Sequence, residues 1–146
     1  MKIYFDMDGT ISNLYANENW LERLRAYDPS PYRNAKPLVN MSLLARYIHK
    51  MQAIGCMVGV ISWLSKESTE EYNAAVTEAK YQWLKQHLPS VTFDEIHIVP
   101  YGTPKSQVPN QKGGLLFDDE DRNRAEWGEG AYSPEEIFNV LKALAR

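Results

Sequence analysis

The chain has 146 residues, a formal net charge of −3, 44% hydrophobic and 24% charged residues. That balance argues against long disorder, gives no support for non-specific nucleic-acid binding, and suits one domain over 1–146 with a real core. A single cysteine, Cys56, excludes an intrachain disulfide, and no apolar run approaches the ~18 residues of a membrane span.

Lys2 to Phe5 reads as a short buried strand ending at Asp6. With one lysine ahead of Asp6 this start does not read as a signal peptide, so a cytoplasmic protein without a membrane partner is expected. Asn19 to Tyr27 has room for a short helix, and Pro29, Pro31 and Pro37 punctuate the stretch after it. Val39, Leu43, Leu44, Tyr47, Ile48 and Met51 fall at helical spacing, and Gly55 can stop that helix. Cys56 to Ile61 predicts a buried strand with Cys56 as a small buried residue. Ser68 and Glu71 have capping-box spacing ahead of an apolar stripe of Tyr72, Val76, Ala79, Trp83 and Leu88, which Pro89 ends. Ile96 to Val99 and Leu115 to Phe117 read as two more strands. Ser133, Pro134 and Glu136 open a last helix whose inner face is Ile137, Val140, Leu141 and Leu144. Strands alternating with helices imply βαβ units and a parallel sheet. Such sheets bind ligands beyond the carboxyl ends of their strands.

Polar groups stand at those ends: Asp6 and Asp8, then Ser62, then Lys105 past the Gly102–Pro104 turn, then Asp118 and Asp119. They suit phosphoryl transfer. A phosphate ester and a carboxylate nucleophile are both anionic, so something must neutralise them. Mg2+ does so through hard oxygen ligands, here Asp6, Asp118 and the backbone carbonyl of Asp8. Ser62 can donate a hydrogen bond to a phosphate oxygen, and Lys105 can hold the phosphate as a point charge. Asp6 can attack phosphorus to form an acyl phosphate. Asp8, two residues on, is placed to protonate the leaving oxygen and then activate water. Gly9 permits a sharp turn and Thr10 can tie it. Asp119 is expected to orient Lys105 or a metal-bound water. Lys112, beside Gly113 and Gly114, reads as a surface lysine, and His49, His87 and His97 lack metal-ligand spacing. Glu120 and Asp121 open a helix, and Arg122, Asn123 and Arg124 read as its solvated face.

Asp6-Met7-Asp8-Gly9-Thr10 after a hydrophobic strand resembles the first motif of haloacid dehalogenase-like hydrolases. Val60-Ile61-Ser62, Gly102-Thr103-Pro104-Lys105 and Leu116-Phe117-Asp118-Asp119 resemble the second, third and fourth, in the family's order. The resemblance implies a Rossmann-like three-layer α/β/α sandwich with a mostly parallel sheet. It also implies Mg-dependent phosphoryl transfer through an aspartyl-phosphate. Aspartate at the Asp8 position marks the phosphatase and phosphomutase branches. The paired aspartates and the short second motif resemble the deoxyribonucleotidase-like branch, from which this chain departs in having little sequence for a cap.

In that family, caps select substrates, and residues 13–37 read as a minimal cap or flap. A small phosphorylated substrate, a nucleotide foremost, is expected. A nearly open site would also admit a phosphoprotein or nucleic-acid end, or be covered by a second subunit of a homo-oligomer. Tyr15, Trp20, Tyr27, Tyr32 and Trp63 either stack on substrate or, as favoured here, pack the flap on the core. Two other readings compete. A phosphoacceptor signalling module would place its acidic pair first, whereas Asp118 and Asp119 come last. A non-catalytic phosphate-binding protein would lack one of the polar groups, and none is missing.

Overall fold

The computed structural model describes residues 1–109 and 113–146, so Lys112 lies outside the described residues. The chain runs β1 (Lys2–Phe5), β2 (Ser12–Asn13), α1 (Trp20–Arg25), α2 (Ser30–Asn34), β3 (Lys36–Pro37), α3 (Met41–Ala53) and β4 (Met57–Trp63). It continues with α4 (Glu70–His87), β5 (Glu95–Val99), β6 (Leu115–Phe117), α5 (Asp121–Trp127), β7 (Ala131–Tyr132) and α6 (Ile137–Leu144). The main sheet has the order β5-β4-β1-β6-β7, and every pairing in it is parallel.

Strand alternation splits the core between the two faces of this sheet. Ile3, Phe5, Val58, Val60 and Phe117 pack on one side against α3, α4 and α6, through Leu44, Ile48, Met51, Trp83, Ile137 and Leu141. Tyr4, Ile61 and Leu116 point the other way, where Trp127 of α5 and Val108 pack. The result is an α/β/α layering around a parallel sheet. From β1 the chain builds outward through β4 and β5, then returns to β1's other side with β6 and β7. The carboxyl end of β1 is therefore the switch point where such sheets open a crevice, and Asp6 comes directly after it.

Three sequence expectations shift. Thr69, not Ser68, caps α4: its Oγ1 accepts from the Tyr72 N–H at 3.1 Å, while Ser68 bonds the Thr69 carbonyl. β4 extends to Trp63 because β5 pairs with it up to Val99, so Ser62 lies inside the strand rather than after it. Cys56 precedes β4 and is only half-buried. The Ser133–Glu136 capping box is present. Helix α2, the β2–β3 hairpin and β7 are too short to carry a periodicity of their own.

Candidate active site

The loop after β1 is wound around one carbonyl. Met7 O accepts from the N–H groups of Thr10, Ile11 and Ser12 at 2.9–3.0 Å. This tight turn needs Gly9 at φ +83, and a Cβ there would collide with the Asp119 carboxylate and Tyr15. Close approach thus demands glycine as firmly as backbone conformation does. Thr10, fully buried, donates to Asp6 Oδ2 at 2.9 Å and accepts from the Asp119 N–H at 3.1 Å. It joins the β1 loop to the end of β6.

Asp6, Lys105 and Asp118 form one buried cluster. Lys105 Nζ donates to Asp6 Oδ1 at 2.8 Å, Asp118 Oδ2 at 2.6 Å and the Ile61 carbonyl at 3.1 Å. Lys105 is 1% exposed and Asp118 0%. Burial disfavours the Lys105 ammonium, but Asp6 and Asp118 outweigh it and hold its pKa above the ordinary lysine value. Asp118 is further held by the Glu120 N–H at 2.9 Å and Asn123 Nδ2 at 3.2 Å, and Arg124 bonds its carbonyl at 2.7 Å. Asn123 is therefore buried, and the expectation of a solvated 122–124 face is corrected. Arg122, the exposed member, lies over the Trp63 ring at 5.0 Å. Trp63 Nε1 donates to the Thr103 carbonyl at 2.8 Å.

A second buried lysine was not expected. Lys80 of α4 is 1% exposed and bonds Ser62 Oγ at 2.6 Å, the Trp63 carbonyl at 2.7 Å and Asp8 Oδ2 at 2.9 Å. The signal was present: residue 80 lies four after Val76 and three before Trp83, on the apolar stripe itself. The Asp8 side chain thus turns to Lys80. Its pKa is raised chiefly by burial, with Lys80 pulling it down and Asp6 pushing it up.

Asp6, Asp118 and Asp119 each offer a carboxylate oxygen within 4.8 Å of the others. Asp119, expected to orient Lys105 or a water, stands in this trio, while Lys105 pairs with Asp6 and Asp118. Four carboxylates face two lysines, leaving surplus negative charge among hard oxygen donors. Such a set fits a small divalent cation.

The same crowding shows in the protonation of the trio. Asp118 is pushed up to about 6 and Asp119 to about 8, by burial first and then by the charge of Asp6. The folded protein then keeps protons that the unfolded chain releases above the ordinary 3.8. Stability from these groups is complete below about pH 4 and is lost as pH rises to about 8. Melting midpoints of the metal-free protein should accordingly fall between about pH 5 and about pH 8. Asp119→Asn, or an added divalent cation, should flatten that slope. A wild-type slope unchanged in Asp119→Asn would contradict the assignment.

The flap shares a cavity with this cluster. Leu14, Tyr15, Trp20, Leu24, Tyr27 and Tyr32 line a cavity of about 590 Å³ that Asp6, Asp8, Trp63, Lys105, Asp118 and Asp119 also line. This size is typical of small-molecule sites. The flap aromatics divide. Tyr32 is buried on α4 with its hydroxyl 2.6 Å from Ser65 Oγ, whereas Tyr15 is 44% exposed and meets Trp20 edge-on at 5.0 Å.

The chain has the haloacid dehalogenase-like α/β fold, a mostly parallel five-stranded sheet flanked by helices. It is similar to the crystal structure of D,D-heptose 1,7-bisphosphate phosphatase from Burkholderia thailandensis, with a TM-score of 0.57 and 12% sequence identity over 98% of this chain and 97% of that one. No family model and no curated protein matches the sequence. The likeness supports the fold and does not favour the deoxyribonucleotidase-like branch. Among the described residues no helix is long and apolar enough to cross a membrane.

Proposed function

We propose that the protein is a magnesium-dependent phosphomonoesterase that works through an aspartyl-phosphate on Asp6. The observation that carries this reading is the Asp6 carboxylate at the carboxyl end of β1. It is clamped by Lys105 and Thr10, has Asp8 in the same loop, and lines a cavity shared with the flap. Asp6, Asp118 and Asp119 would hold the magnesium ion, which when bound neutralises phosphate charge.

Lys105 and Thr10 hold the Asp6 carboxylate for attack on phosphorus. The new bond joins an Asp6 oxygen to phosphorus as the ester P–O bond breaks. Asp8 gives its proton to the leaving oxygen, and burial, by raising its pKa, favours the protonated form this step needs. In the second step Asp8 takes a proton from water as that water displaces Asp6 from phosphorus, which returns both groups to their starting state. Ser62 offers its hydroxyl hydrogen to a phosphoryl oxygen, while Lys105, its three hydrogens held by Asp6, Asp118 and the Ile61 carbonyl, contributes positive charge beside the phosphoryl group.

The cavity favours a small ester over a phosphoprotein or a nucleic-acid end. Its walls combine Tyr15, Trp20, Tyr27, Trp63 and Tyr101 with leucines, which suits a flat leaving group such as a nucleoside better than a sugar. The test is phosphate release from p-nitrophenyl phosphate, nucleoside monophosphates, sugar phosphates and a phosphopeptide, with magnesium or with chelator. Magnesium-dependent release is expected, with kcat/KM for the best nucleotide about tenfold or more above sugar phosphates, as one base–aromatic stack would give. Silence across the whole panel would overturn the reading, and sugar phosphates leading it would overturn the substrate class.

A further inference from the structure

We propose that Lys80 is a positioning residue of this site, setting the Ser62 hydroxyl as a donor and fixing the Asp8 carboxylate. The inference rests on the phosphatase reading above. An ammonium group has three hydrogens and no lone pair. Lys80 spends them on Ser62 Oγ at 2.6 Å, the Trp63 carbonyl at 2.7 Å and Asp8 Oδ2 at 2.9 Å. It therefore has no hydrogen left for substrate and acts through its partners.

The consequence for Ser62 is directional. Because Lys80 can only donate, Ser62 Oγ is the acceptor in their bond, and its own hydrogen is left for another group. A hydroxyl that already accepts a charge-assisted hydrogen bond is a stronger donor. Ser62 is fully buried at the end of β4, so its hydroxyl has few alternatives to this arrangement. Asp8 is tied by the same ammonium, so one side chain sets the phosphate donor and the acid together. Lys80 also lies 5.0 Å from the Tyr32 ring centroid, which joins this pair to the flap.

A purely structural lysine is the poorer account. Burying an ammonium costs several kcal/mol before its partners compensate, and a well-packed apolar side chain of similar volume often stabilises a fold as well or better. Position 80 is on the apolar stripe, where such a residue would pack against Val76 and Trp83 without polar partners.

Lys80→Met, Ser62→Ala and their double variant test the assignment, with kcat, KM and melting midpoint measured for each. Each single change is expected to lower kcat about 100-fold with KM little altered, the scale of losing one oriented donor. The double variant should fall no further than Lys80→Met alone, because both changes remove one linked arrangement. Folded Lys80→Met with wild-type kcat would overturn the proposal, as would a double variant reduced by the product of the two losses. Should Lys80→Met fail to fold, Lys80→Arg and its double with Ser62→Ala carry the same comparison. A wild type without turnover on any ester refutes the phosphatase reading itself, and this assignment with it.

Discussion

Asp6→Asn is expected to lower phosphate release by at least about 10⁴-fold while leaving the protein folded, the scale seen when a nucleophile is removed. Asparagine has the shape of aspartate but no anionic oxygen to attack phosphorus. It also turns an NH2 group towards Lys105 or Thr10, which both donate to Asp6. The stability change is the balance of two opposing effects. Asp6 crowds Asp118 and Asp119 and helps to raise the pKa of both. Removing its charge relieves that repulsion but also takes one of the two carboxylates that pair with buried Lys105, so the metal-free variant should melt within about 5 °C of wild type. Activity lost with the melting midpoint largely kept is the expected pairing. Full activity in Asp6→Asn would remove Asp6 from the chemistry.

Lys105→Met should cost both stability and activity. Its ammonium pairs with Asp6 at 2.8 Å and Asp118 at 2.6 Å, with 1% of the lysine side chain exposed. Taking away one member of a buried pair strands the other charges and typically costs about 3–5 kcal/mol. For a chain of this size that lowers the melting midpoint by roughly 10 °C. Loss of Lys105 removes what lowers the Asp118 pKa, so Asp118 would hold its proton to higher pH. The deficit against wild type should therefore be smaller near pH 5 and larger near about pH 8. Calorimetry at the two pH values checks this. A variant melting within about 2 °C of wild type at both would show that the pairing contributes little.

The polar group at or beyond the end of each main strand was legible because a buried strand is a short apolar run, and the residue that ends the run is visible in one dimension. Asp6, Lys105 and Asp118 could be named in that way, and the structure joins them through hydrogen bonds. Lys80 and Asn123 were passed over because each sits on a helix, where lysine and asparagine are ordinarily solvated. Their burial depends on which face α4 and α5 present to the sheet, and helical phase is not fixed by a single polar residue.

The sequence by itself determined the order of the four main strands and the helices between them, the parallel sheet, and the acids, hydroxyl and lysine at or near its strand ends. These come from local periodicity and from chain order, which no later contact rewrites. Only the tertiary structure decided that Asp119 joins Asp6 and Asp118, that Asp8 turns to Lys80, and that residues 13–37 wall a cavity. Each of these depends on side chains far apart in sequence competing for the same small volume and the same few charges. That competition is resolved by packing and electrostatics in three dimensions.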